Sequence, residues 1–150
     1  MSTTSDGAMD LISCVQRDHR EIEQMLGRVE RANGSERERA FRELTHELEA
    51  HEGAEQQVVH PLLGETGDED EMDEFLDEEQ SAKSVLTTLD VSAPNFDEEF
   101  AHFKQDVLTH AQHEEQEEHP RIEESESPEE LERMGQRFEE MSARLKGSSA

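Results

Sequence analysis

The chain has 150 residues, the usual size of one domain, with a formal net charge of -26 and under a fifth of its residues drawn from Leu, Ile, Val and Phe. A polyanion of this kind is repelled by nucleic-acid phosphates and anionic lipid headgroups, which argues against both as partners and leaves cations as natural ones. Few apolar residues at high charge also place the chain at the edge of disorder, so its apolar positions must be well placed or something else must help it fold.

Residues 1–8 are small and polar and are expected to form a flexible tail. They lack a basic segment followed by an apolar one, and no apolar run reaches membrane-spanning length, so the cytoplasm is the expected compartment. Leu11, Ile12, Val15, Ile22, Leu26 and Val29 recur at helical spacing, and Asn33-Gly34-Ser35 reads as the end of that helix. A second helix carries Phe41, Leu44, Leu48, Val58 and Leu62, with Pro61 near its end. Residues 64–71 read as a polar loop. A third helix then carries Met72, Phe75, Leu76, Ala82, Leu86 and Leu89. After a turn at 90–95, a fourth helix carries Phe96, Phe100, Phe103 and Val107 and is closed by Pro120. Pro128 suits the first turn of a last helix over 128–146, with Leu131, Met134, Phe138, Met141 and Leu145 on one face. No stretch alternates with period 2. The expected fold is all-α: an antiparallel up-down four-helix bundle over residues 9–123, with a short fifth C-terminal helix packed on it.

The sequence repeats. Phe41, Leu44, Leu48, His51 and Glu55 recur 59 residues later as Phe100, Phe103, Val107, His110 and Glu114, and His60-Pro61 recurs as His119-Pro120 at the same offset. Asp18-His19, Ile22, Leu26 and Val29 recur 60 residues later as Glu78-Glu79, Ala82, Leu86 and Leu89. Two helix pairs of one pattern therefore build the bundle.

Four helices place metal-type donors on their apolar stripes. His51 lies three positions after Leu48, Glu55 seven after it, and His110 and Glu114 stand in the same relation to Val107. His19 lies four after Val15 and three before Ile22; Glu79 lies four after Phe75 and three before Ala82. Polar groups on a buried stripe are costly unless paired or ligating. An imidazole and a carboxylate four apart share one helix face and suit iron, manganese or zinc. The bare spacing is weak evidence in so acidic a chain, because six of the eight His have an acid at i+4. What selects is the stripe: His102–Asp106 is displaced from it and reads as solvated. Glu23 reads as a solvated edge, Gln80 as a rival to Glu79 on a rotated third helix, and His60 and His119 as packing or surface residues ahead of outer hydrogen-bond partners. Cys14 has no disulfide partner and reads as a small core residue. The acidic run 68–73 reads as a solvated loop.

Asp18-His19-Arg20-Glu21-Ile22, His51-Glu52-Gly53-Ala54-Glu55 through His60-Pro61, and His110-Ala111-Gln112-His113-Glu114 through His119-Pro120 resemble the hemerythrin-like, or HHE cation-binding, family. The resemblance runs from about residue 9 to 123. It implies a four-helix bundle around two iron ions bridged by oxo, hydroxo or carboxylate groups. It carries over His19 from the first helix, His51 and Glu55 from the second, and His110 and Glu114 from the fourth. The third helix departs from the family, with Glu78-Glu79 where Glu-His is usual.

The expected metal set is therefore His19, His51, Glu55, Glu79, His110 and Glu114. The expected function is binding or reduction of a small ligand, peroxide, nitric oxide or dioxygen, by a monomer or weak dimer. The alternatives are an iron-dependent sensor or store without turnover, and a structural zinc or manganese bundle. Carboxylate-rich donors favour ferric iron, which argues against reversible oxygen carriage.

Overall fold

The computed structural model describes residues 9–65 and 69–148, and the expected tail 1–8 lies outside them. Helix α1, Leu11–Arg31, starts where the Asp10 carboxylate accepts the Ser13 N–H at 2.9 Å. It ends with Arg28 and Arg31 at the negative end of its dipole. Helix α2, Gly34–Ala54, begins after only Ala32 and Asn33. Gly34 and Ser35 therefore open α2 rather than close α1. The reversal fits in so short a link because Gly34 takes φ +58°, which a glycine adopts without steric cost.

Neither proline stops its helix. Helix α2 passes into a π-helical segment, Glu55–Val59, and continues as α3, His60–Glu65. Helix α5, Phe96–His113, does the same through the π-helical segment Glu114–Glu118 into α6, His119–Ser125. At each junction the His N–H reaches back five residues, His60 to the Glu55 carbonyl and His119 to the Glu114 carbonyl. The wider turn relieves the clash between a proline ring and the carbonyl four residues earlier, so Pro61 and Pro120 sit in the first turn of a new helix.

Helix α4, Glu69–Thr88, starts inside the stretch read as a loop, so most of the acidic run is helical. Leu76, expected on the apolar face, is exposed, and the side chains of Met72 and Phe75 lie outside the described residues. The turn at 90–95 is present. Helix α7, Pro128–Ser148, is as long as α1, at 21 residues. It packs against α1 and α2. Lys146 Nζ meets Glu47 Oε1 at 2.9 Å, and Arg17 Nη2 meets Glu139 Oε2 at 3.4 Å. The approach is close enough that a Cβ on Gly135 would collide with the Met9 carbonyl oxygen.

Two apolar clusters fill the bundle. One holds Leu11, Val15, Val58, Leu62, Ile122, Leu131 and Phe138, with Cys14 fully buried among them as expected. The other holds Ile22, Leu26, Leu44, Leu86, Phe96, Phe100 and Phe103. Helical spacing decides what lies between them. Along α1, Val15 belongs to the first cluster, Ile22 to the second, and His19 falls in the gap.

Candidate metal centre

All six predicted residues meet in that gap. His19 comes from α1, His51 and Glu55 from the α2 rod, Glu79 from α4, and His110 and Glu114 from the α5 rod. His19 Nε2 lies 2.9 Å from Glu114 Oε1, and His51 Nε2 lies 3.3 Å from Glu55 Oε1. His110 Nε2 lies 3.3 Å from Glu114 Oε2 and 3.7 Å from Glu79 Oε2. Glu55, Glu79 and Glu114 are at most 3% exposed. One donor atom from each of His19, His51, Glu55 and Glu114 lies within 4.8 Å of the others; Glu55, Glu79, His110 and Glu114 form a second such set. Gln80 is exposed on α4, so the helix is turned to bring Glu79 inward, and Glu23 and His102 are exposed as expected.

Each of the three imidazoles has a carboxylate on its other nitrogen. Nδ1 of His51 lies 3.1 Å from Asp18 Oδ2, Nδ1 of His19 lies 2.6 Å from Glu115 Oε2, and Nδ1 of His110 lies 2.7 Å from Glu78 Oε1. With Nδ1–H donating outward, each Nε2 keeps its lone pair for the gap, the arrangement that orients metal-binding histidines. The sequence reading assigned no role to these three acids. Asp18 had a signal, since it lies three after Val15 and four before Ile22 and so shares the stripe. Glu78 and Glu115 had none beyond adjacency to a predicted ligand.

Without a cation these imidazoles hold protons instead. Burial pulls the His110 ring down, but Glu114 and Glu79 outweigh it and hold the ring at about 12. Burial and the Glu114 carboxylate push Glu55 up to about 7. Oε2 of Glu55 and both oxygens of Glu118 are buried with no hydrogen-bond partner. Three carboxylates packed together with orphaned oxygens fit a bound cation, and a donor set of imidazole nitrogen and carboxylate oxygen fits iron.

The π-helical segments turn His60 and His119 inward, and Glu118, four after Glu114 on the same stripe, joins them. Glu118 is fully buried; burial, then Glu114 and Glu55, push its carboxyl up to about 10. His119 is buried rather than on the surface, with its ring stacked 6.3 Å from that of His19, and burial pushes it down to about 4. His60 is also buried, with Nε2 3.3 Å from Glu79 Oε2. From α7, Phe138 meets the His51 ring edge-on at 5.8 Å. Beside the donors lies a cavity of about 40 Å³, walled by Ile22, Leu48, Val107 and Leu108 as well as the polar groups.

The sequence profile of the hemerythrin HHE cation binding domain matches residues 10–122. No curated protein matches the chain. A solved structure of a hemerythrin HHE cation binding domain-containing protein from Mycobacterium kansasii is similar, with a TM-score of 0.85 at 24% identity over 93% of this chain and 89% of that one. At that identity the likeness concerns the fold. No helix among the described residues is long and apolar enough to cross a membrane. The profile covers α1 to α6, the helices that carry every residue of the His and Glu cluster, and the chain belongs to the hemerythrin HHE cation-binding domain family.

Proposed function

We propose that His19, His51, Glu55, Glu79, His110 and Glu114 hold two iron ions, and that the protein binds and reduces a small ligand there: peroxide, nitric oxide or dioxygen. One observation carries the dinuclear reading. The two donor sets overlap in Glu55 and Glu114, so two ions can share those carboxylates as bridges. Bound iron supplies the electron exchange that the side chains alone lack. The chain's own residues hold the ions, exclude bulk water and limit the ligand's size. The cavity of about 40 Å³ beside the donors is small and suits a ligand of a few atoms. Carboxylate donors stabilise the ferric state and favour peroxide or nitric oxide chemistry over reversible oxygen carriage.

Reconstitution under anaerobic conditions with ferrous iron, followed by metal counting, near-ultraviolet absorption and addition of peroxide, tests the reading. The expected result is about two irons per chain, as in other di-iron bundles. Gas release on adding peroxide is expected with them. The absence of Tyr and Trp leaves the spectral region of a bridged ferric pair clear. A loaded protein with one metal or none overturns the dinuclear reading. Two irons without turnover, in a fold that melts when iron is removed, would instead mark an iron sensor or store.

A further inference from the structure

Outside the buried centre, α4 and α5 bring a second donor cluster together on the surface. Glu74 and Glu78 lie one turn apart on α4 and face His113, whose own helix continues one turn on to Glu117. His113 Nε2 lies 2.6 Å from Glu117 Oε2 and 3.8 Å from Glu74 Oε1. His113 Nδ1 lies 3.2 Å from both oxygens of Glu78. Donor atoms of Glu74, Glu78 and His113 all fall within 4.8 Å of one another. Ligands bound at about 2.1 Å to one ion span up to about 4.2 Å, so a small side-chain adjustment closes the set.

This cluster connects to the buried one. Glu78 Oε1, 3.2 Å from His113, is also the acceptor 2.7 Å from His110 Nδ1. A cleft of about 340 Å³ between α4 and α5 is lined by Glu74 and Glu78 at one part and by Ser81, Thr109 and His110 at another. A cation held at the surface therefore sits one residue away from the inner set. The exposure of the carboxylates grades in the same direction: Glu74 is 61% exposed, Glu117 55%, and Glu78 33%.

We propose that Glu74, Glu78 and His113, with Glu117 accepting a hydrogen bond from the other nitrogen of the imidazole, form a separate divalent-cation site that captures ferrous iron and passes it along the α4–α5 cleft to the buried centre. Binding at the surface stands independently; only the transfer rests on the di-iron reading above. Hard oxygen donors with a single imidazole take ferrous iron or manganese, and solvent exposure lets such an ion leave again, as a transfer site requires.

Two measurements test it. First, ferric-loaded protein is titrated with Mn²⁺ and free Mn²⁺ is followed by electron paramagnetic resonance. The expected result is one additional Mn²⁺ per chain, weakened more than about tenfold by His113→Gln and by Glu117→Gln, since loss of even an outer ligand partner costs that much. Second, metal-free protein is mixed with ferrous iron and the growth of near-ultraviolet absorption is timed. Both variants are expected to load several-fold more slowly and to reach the wild-type iron content. Glu117→Gln changes a half-exposed residue, so its circular dichroism stays that of the wild type. No extra Mn²⁺ in the wild type overturns the site, and wild-type loading rates in both variants overturn the transfer. If metal-free protein takes up no iron pair but still binds Mn²⁺ in a way that both variants weaken, the di-iron reading fails and the surface site stands.

Discussion

Replacing Asp18 by Ala separates the orienting role of the outer carboxylates from direct ligation. Asp18 reaches no donor set of the buried pair, yet its Oδ2 lies 3.1 Å from His51 Nδ1 with both side chains about 5–6% exposed. Bulk water does not reach this pair to replace the lost oxygen. Removing an orienting partner of this type typically weakens metal binding by about 10–100-fold, or about 1.4–2.7 kcal/mol. The metal-free protein loses a buried charge-assisted hydrogen bond as well, worth about 1.5–3 kcal/mol. Glu115→Ala is the internal control. Its carboxylate holds His19 Nδ1 at 2.6 Å, a shorter contact, but its side chain is 36% exposed, so water can replace it. Competition against a chelator of known affinity, with a melt of each metal-free variant, reads both effects. Asp18→Ala is expected to cost more than Glu115→Ala in both. Equal metal affinity in Asp18→Ala and wild type, or a larger loss in Glu115→Ala, would refute the claim that buried outer carboxylates set the ligand geometry.

Glu79→Gln is expected to empty one of the two metal positions while Gln80→Ala keeps both, because Glu79 is buried in the donor set and Gln80 is exposed; metal counting on purified variants checks it. Loading must displace the proton that Glu114 and Glu79 hold on His110 up to about 12, so metal affinity should fall as pH is lowered and loading should acidify a weakly buffered solution. In metal-free protein the Glu118 carboxyl sits near 10 when folded against an ordinary 4.5, so the folded state binds the extra proton and stability falls as pH rises above 4.5. By pH 7 that loss is about 3 kcal/mol, and Glu118→Gln should recover most of it at pH 7 and almost none at pH 4, read by urea denaturation at the two values. Chelation of the metal should lower the melting temperature by about ten degrees or more, since the buried Glu55, Glu79 and Glu114 oxygens lose their cation; coincident melts would show that the apolar clusters suffice.

The buried donors were legible because helical geometry turns a spacing into a face. His51, Glu55, His110 and Glu114 share their stripes with Leu48 and Val107, and the structure brings the same four together with His19 and Glu79. The stripe also separated Glu79 from Gln80. It failed where the helix ceases to turn by 100° per residue. Beyond Glu55 and Glu114 the π-helical segments add most of a residue per turn, so His60 and His119 fall inward instead of at the edge where straight periodicity puts them, whereas Glu118, eleven after Val107, already lies on the straight stripe. The repeated His-Pro five residues after each Glu was the visible trace of both segments, and it read as a stop because a proline ordinarily is one. The surface cluster around His113 was invisible for another reason: its i+4 spacing is shared by six of the eight His, and only the packing of α4 on α5 distinguishes it.

The acidity that makes the chain look unfoldable becomes a matter of counting at the buried layer. Glu55, Glu79 and Glu114 face the gap, and Asp18, Glu78 and Glu115 stand behind the imidazoles. With the three rings neutral, the four enclosed carboxylates, Asp18, Glu55, Glu79 and Glu114, carry a charge that two divalent ions would match, while Glu78 and Glu115 are about a third exposed and screened by water. An excess negative charge in a layer closed on both sides by apolar clusters is expensive, because the low-dielectric surroundings screen it weakly. Metal-free protein therefore has to hold protons in this layer. The His110 ring, held up to about 12 by Glu114 and Glu79, and the Glu55 carboxyl, pushed up to about 7 by burial and by Glu114, take them, and a cation that displaced them would balance the same charge.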